Sequence, residues 1–187
     1  MRTFMVYSQT ARTSPIIRDL KRAGRIDILL HSIISSLFAS NTFRDDVELH
    51  LFLMGPPNAP RHIILKFDSQ NSISKKDLKK LIEMCLRRAK KGKTLQVHPG
   101  VFVDDKTIEK VLEDFKEFYL LDQNGKNVRE EISKAKKDFV FVLGDHEGFD
   151  KKTRKYLKKN GKRISLGPQI YFTSQAITIL NYELDNS

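Results

Sequence analysis

The chain has 187 residues, 40% of them apolar and 30% charged, enough for a sizeable core within a single domain over 1–187 and too apolar for a disordered chain. Its one cysteine, Cys85, excludes a disulfide framework. Its five histidines (His31, His50, His62, His98, His146) show no metal-ligand spacing, so no metal is expected. The net charge of +11 excludes little about fold but points to a polyanionic partner such as RNA or DNA, or else to a solvated lysine-rich surface. No apolar run reaches the ~20 residues that span a bilayer, and the first residues lack the apolar segment of a secretory signal. A cytoplasmic protein with no membrane partner is expected.

In chain order, RTFMVY at 2–7 predicts an opening strand. Ile26, Leu30, Ile33, Ile34, Leu37 and Phe38 form a helical stripe over 25–41. Val47, Leu49, Leu51 and Leu53 alternate as a strand does, and Gly55-Pro56-Pro57 ends it. A second apolar run at 62–67 supplies its neighbour. A helix starts at Ser74, with Asp77 three residues on. Its apolar face is Leu78, Leu81, Ile82, Cys85, Leu86 and Ala89, its other face is basic, and Gly92 closes it.

A short strand at 95–103 is broken at Pro99-Gly100, and 105–118 reads as a helix. A brief strand at 119–121 precedes a turn at Asn124-Gly125. FVFVL at 139–143 is continuously apolar, as a parallel strand buried on both faces requires. A basic helix at 151–159, a short strand at 163–166 and a closing helix at 173–184 complete the chain. Alternating strands and helices predict an α/β domain with a mainly parallel sheet flanked by helices. A weak seam at 92–100 separates a half rich in positive patches from a half rich in glycine turns.

Two of those turns follow successive strands: LGDHEGF at 143–149 and SLGPQI at 165–170. Open α/β sheets bind ligands beyond the carboxyl ends of their strands, so the two turns either share one pocket or are ordinary connections. Neither a P-loop nor a GxGxxG motif is present, so nucleoside triphosphate and conventional dinucleotide sites are unsupported.

Together with AGRIDILL at 23–30, FRDDVELHLFLMGPPNAPRHI at 43–63 and HPGVFV at 98–103, these segments resemble the archaeal-type tRNA pseudouridine(54) N1-methyltransferases. That family is of the SPOUT class, and the resemblance covers nearly the whole chain. It implies a C-terminal trefoil knot, a homodimer, a tRNA substrate methylated in the T-loop, and S-adenosyl-L-methionine as cofactor. It further implies that Leu121, Leu143, Gly144, Ser165, Leu166, Gly167 and Ile170 contact the cofactor, mostly through backbone, with Ala176 closing the adenine side. The chain departs from the family pattern at Lys21-Arg22 (usually Pro-Gly), His31 (usually Arg), Asp45 (an RRD run becomes Arg44-Asp45-Asp46) and Ala176 (often Cys). The first three fall on the implied RNA face. The same fold acting on another RNA, such as ribosomal RNA, and a non-catalytic RNA-binding module therefore remain open readings.

Pseudouridine is joined to ribose through carbon, so its N1 carries a proton that methylation must displace. A carboxylate suits that task. Asp27 is the first candidate and Asp46 the second, although Asp27 equally suits an ion pair with Arg25 or a helix-start interaction. Arg25 and Arg44 are the candidates for binding phosphate or the extruded nucleotide, against a solvated-charge reading. His146 and Glu147 are read as shaping their loop or the dimer interface.

Overall fold

The structure is a computed structural model that describes residues 1–40, 42–68, 73–133 and 138–187. Eight strands share one sheet in the order β4-β5-β3-β2-β1-β7-β6-β8. The strands are β1 (Arg2–Arg12), β2 (Val47–Gly55), β3 (Arg61–Leu65), β4 (Leu95–His98), β5 (Val101–Asp104), β6 (Tyr119–Asn127), β7 (Phe139–Gly144) and β8 (Lys162–Ser165). The helices are α1 (Ile26–Leu37), α2 (Leu78–Arg88), α3 (Ile108–Leu112), α4 (Val128–Ile132), α5 (Lys151–Asn160) and α6 (Thr173–Asp185).

The sheet is mixed, with four of its seven strand pairings parallel and three antiparallel. β2, β1, β7, β6 and β8 run parallel to their neighbours, while β3, β5 and β4 are joined antiparallel. The short connections at Gly55-Pro56-Pro57 and Pro99-Gly100 explain this, because a parallel crossover needs a dozen or more residues. The seam expected at 92–100 does not divide the sheet, since β4 within it and β5 just after it both extend the β2–β3 edge.

Both faces of the parallel half are buried, which is why β1 is continuously apolar over Phe4–Tyr7 and β7 over Phe139–Leu143. Phe4 and Val6 of β1 pack with Phe141 and Leu143 of β7 and with α1, α2 and α6 on one face. Met5 and Tyr7 pack with Val140, Val142 and Leu120, with Ile108, Val111 and Leu112 of α3, and with Leu157 of α5 on the other. Alternate side chains thus serve opposite layers. α1 buries Ile26, Leu29, Ile33 and Leu37 at helical spacing, and α6 answers with Ala176, Ile177, Leu180 and Leu184. Truncating a fully buried leucine such as Leu29 to alanine would cost about 2–5 kcal/mol.

Several boundaries differ from the sequence reading. α1 stops at Leu37, and Phe38 instead bridges Phe43; Asn41 lies outside the described residues. The helix expected over 105–118 is only five residues long, capped by the Thr107 hydroxyl. β6 continues beyond Leu121 through an irregularity against β8, and the short α4 follows where no helix was expected. Ser74 opens a 3-10 turn at Lys75–Asp77 before α2, its hydroxyl bonded to Asp77 at 2.6 Å.

A buried polar chain crosses β2, β3 and β5. Glu48 Oε1 meets His50 Nε2 at 2.7 Å, His50 Nδ1 meets His62 Nε2 at 2.8 Å, and His62 Nδ1 meets Asp104 Oδ1 at 2.9 Å. Burial holds the His62 imidazole below its ordinary pKa, against the raising effect of Asp104.

Candidate active site

The strand order puts the carboxyl ends of β1, β7, β6 and β8 side by side. Register pairs Tyr7 with Gly144, and Asn127 with Ser165. Three adjoining hollows open there, all sharing Leu121. The largest, about 610 Å³, lies between the ends of β6 and β7 and the first turns of α1 and α6. That volume falls within the range of small-molecule and cofactor pockets. Leu121, Leu143, Gly144, Ile170 and Ala176 line it. Ser165, Leu166 and Gly167 line a second hollow of about 150 Å³ that also includes Leu121 and Ile170. All eight residues named as cofactor contacts thus lie at one end of the sheet.

Glycine is needed where these loops meet. A Cβ on Gly144 would stand 2.7 Å from the Gly148 Cα, so the two backbones approach too closely for any side chain there. The Ser165 hydroxyl, bonded to the Gly167 N–H at 3.1 Å, fixes the second turn. The Thr173 hydroxyl donates to the Gly144 carbonyl at 2.9 Å and pins the start of α6 to the end of β7.

The opposite wall of the large cavity is made by Arg25, Asp27, Ile28 and His31 of the α1 entrance. Gly24, at φ +75°, and Arg25, at φ 61°, turn the chain into the helix. A Cβ on Gly24 would lie 1.7 Å from the Thr10 carbonyl oxygen, so no other residue fits. Arg25 grips Asp27 through two nitrogens: Nε to Oδ1 at 3.0 Å and Nη2 to Oδ2 at 3.0 Å. These bonds hold the Asp27 carboxyl below the usual carboxylate range despite partial burial. Both readings of Asp27 meet here, because it lines the cavity and is also the ion-pair partner of Arg25.

Asp46 and Arg44 are not brought to this cavity. Asp46 pairs with Arg2 at 2.9 Å, and Arg44 pairs with Asp185 at 2.7 Å, in a cluster around the first residue of β1. Strand geometry explains the separation. Arg2 and Tyr7 are five residues apart on β1, about 17 Å at ~3.3 Å per residue. Asp46 lies at the entry end of the parallel strands and the cavity at their exit.

Sequence reasoning passed over Asp145, which follows Gly144 directly. Its side chain is 1% exposed. Its Oδ1 accepts the Glu147 N–H at 3.0 Å, while Oδ2 has no hydrogen-bond partner among the described residues. His146 Nδ1 is 3.6 Å from Oδ2, beyond hydrogen-bond range. Both Asp145 and His146 line the large cavity. The only signal in the sequence was position, a carboxylate at the end of a buried strand. Tyr171, Phe172, Thr173 and Ser174 also line the cavity, and Ile170 and Phe172 are 81% and 78% exposed.

Among the described residues no group of three potential metal ligands is assembled, and no helix is long and apolar enough to cross a membrane.

A mixed sheet with a glycine-turn cavity at the carboxyl ends of its parallel strands defines an α/β protein built to hold a small ligand beside a basic rim. The whole chain, residues 1–187, matches the family described as "Putative SAM-dependent RNA methyltransferase", and the protein belongs to that family. A Pyrococcus abyssi relative named tRNA (pseudouridine(54)-N(1))-methyltransferase is 31% identical over 99% of this chain and 98% of its own length. A relative of the same name from Methanococcoides burtonii is 32% identical over 100% and 97%. Among solved structures, Archaeoglobus fulgidus Nep1 bound to S-adenosylhomocysteine superposes with a TM-score of 0.70 over 98% of this chain and 97% of its own, at 13% identity, so the two share a fold.

Proposed function

We propose that this protein methylates N1 of pseudouridine at position 54 of tRNA, using S-adenosyl-L-methionine, and that it does so as one cytoplasmic domain over 1–187. The observation that carries the reading is the convergence of the two glycine turns and the Arg25–Asp27 pair on one cavity. It is supported by the full-length relatives that bear this name.

The residues present suit the cofactor. Gly144 and Gly148 leave backbone bare where it would be contacted, and the adjoining hollows accept an extended molecule bent between them. Leu121, Leu143, Gly144, Ser165, Leu166, Gly167 and Ile170 would hold it, with Ala176 behind. When bound it supplies the electrophilic methyl group. The protein's contribution is to exclude water from the cavity and to aim the target nitrogen along one line of approach.

Arg25 stands at the cavity wall with its guanidinium oriented by Asp27, and would bind the RNA there. Since Arg25 engages both Asp27 oxygens, Asp27 serves better as an anchor for the guanidinium than as a proton acceptor. Arg44 and Asp46 have no part in this reading. The basic faces of α2 and α5 would hold the folded RNA while the target nucleotide is extruded.

A homodimer and a C-terminal trefoil knot complete the proposal. Exposed Ile170, Phe172 and Tyr182, all in or beside α6, offer an apolar surface suited to a second copy. The knot is what the resemblance of the sequence to the family implies.

The test is incubation with labelled cofactor and two tRNA transcripts, carrying pseudouridine or uridine at position 54, followed by mass spectrometric location of the methyl group. Methyl on pseudouridine 54 alone is expected. Methyl elsewhere in the tRNA, or cofactor binding with no transfer to either transcript, would overturn the proposal.

A further inference from the structure

Two carboxylates line the 610 Å³ cavity, and they are in opposite states. Asp27 has both oxygens hydrogen-bonded by Arg25. Asp145 has one oxygen bonded to a backbone N–H and the other, Oδ2, bonded to nothing among the described residues, at a side chain 1% exposed. A buried acceptor left without a donor carries its desolvation cost uncompensated. Such a group persists where a ligand supplies the missing donor. The backbone around it is firmly set: the Asp145 N–H bonds the Tyr7 carbonyl at 2.9 Å, and the Gly148 N–H bonds the Asp145 carbonyl at 3.0 Å. The free oxygen therefore belongs to a fixed position rather than a floppy loop.

Asp145 also occupies the junction of the site. It directly follows Gly144 on the cofactor wall, and it faces the Arg25 wall closely enough to stabilise that guanidinium through space. A nucleobase entering the cavity can supply that donor. Pseudouridine places an N–H where uridine has a C–H, so one acceptor at that point tells the two apart.

We propose that Asp145 is the specificity-determining residue, with Oδ2 accepting the N1–H of pseudouridine. The inference rests on the proposed function and adds the atom that reads the substrate. His146, one third exposed, stands beside this acceptor with Nδ1 3.6 Å from Oδ2. Uridine at the same place leaves the buried oxygen unpaired. Sites built to bond an N–H reject the analogue without it strongly.

The experiment is competition binding with two T-loop hairpin RNAs that differ only in pseudouridine or uridine at the target position. S-adenosylhomocysteine is present so that no turnover occurs. The wild-type protein is expected to prefer the pseudouridine RNA by at least about tenfold. D145N keeps the size and the Glu147 bond but offers an amide where the acceptor was, and it is expected to bind both RNAs alike. H146A is expected to retain the preference. Calorimetry with S-adenosylhomocysteine and a melting curve establish that D145N is folded and holds its cofactor site. If D145N fails that control, D145E, which keeps an acceptor, replaces it, with a reduced but nonzero preference expected. Wild-type preference in D145N, loss of preference in H146A alone, or equal binding of both RNAs by the wild type would overturn the proposal, whatever the methyl-transfer assay gives. A preserved preference with no methyl product would instead overturn the proposed function and leave Asp145 as the reader of a bound base.

Discussion

The Thr173 hydroxyl donates a 2.9 Å hydrogen bond to the carbonyl of Gly144, joining the last residue of β7 to the first turn of α6. Thr173 is 8% exposed, so this bond is shielded from water. T173V keeps the shape but removes the donor and leaves the Gly144 carbonyl without it. A stability loss of about 1–3 kcal/mol is expected. Thr173 and Gly144 both line the large cavity, so cofactor affinity should fall as well. Urea denaturation and calorimetry with S-adenosylhomocysteine check the two effects. Reduced stability with unchanged affinity would show that α6 is held to β7 by other contacts.

Asp150 gives the clearest pH dependence. Its Oδ1 accepts the Lys152 and Thr153 N–H groups at 2.9 and 3.0 Å, capping α5, and its Oδ2 accepts the Tyr7 hydroxyl at 2.6 Å. Partial burial raises the carboxyl pKa, but these hydrogen bonds outweigh it and bring the value down to about 2. A carboxylate whose folded pKa lies below its unfolded value stabilises the protein at pH above the unfolded pKa. That stabilisation fades as the pH falls from about 5 toward 2. It amounts to at most about 2.5 kcal/mol, and solvent screening of this partly exposed group reduces it. D150N should therefore be less stable than wild type at pH 7, and the gap should close on acidification. A gap that stays constant from pH 7 to pH 3 would show that the cap contributes nothing through its charge.

Arg25 and Asp27 should behave as one unit. In RNA binding, R25A and D27N are each expected to weaken affinity about tenfold, and the double variant to be no worse than either. R25K should resemble R25A, because an ammonium cannot reproduce the two-nitrogen grip. Steady-state kinetics separate the roles. If D27N lowers kcat and alters its pH profile while R25A raises only KM, Asp27 is the proton acceptor and not the anchor assigned to it.

How much of this was legible in the sequence depended on whether the signal was local. The β7 strand and the faces of α1 and α6 were readable, since apolar spacing directly encodes which side is buried. The lining of the cavity was readable through its glycine turns and the family resemblance. What escaped were relationships across strands. His50 and His62 are twelve residues apart with no metal-like spacing, yet antiparallel pairing of β2 with β3 brings His50 Nδ1 within 2.8 Å of His62 Nε2. Asp46 looked like a neighbour of the site because it lies in a family segment. Strand direction instead carries it to the far end of the sheet, beside Arg2. Asp145 was overlooked because its importance lies in a partner it lacks, and no spacing encodes that. The short α4 and the truncated α3 carry too few turns for a periodic pattern to register.

The last prediction concerns the rim of the site. Arg12, Arg18 and Arg22 line a groove of about 490 Å³ next to the Gly24–Arg25 turn. Among the described residues none of these three guanidiniums is ion-paired; the nearby Asp19 instead accepts the Arg22 backbone N–H at 2.9 Å. Three unneutralised arginines beside a nucleotide-sized cavity suit an RNA backbone, because each phosphate contact releases counterions. Replacing all three with glutamine should weaken tRNA binding by an order of magnitude or more at low salt. It should also flatten the dependence of log K on log salt by about 0.7–0.9 per contact removed. The effect should be equal for pseudouridine and uridine RNAs, since phosphate contacts position the RNA without reading the base. Fluorescence anisotropy across a salt series measures all three quantities. An unchanged slope would move the RNA path off this groove and toward the basic face of α5, where K151Q/K155Q/K159Q should then carry the salt dependence.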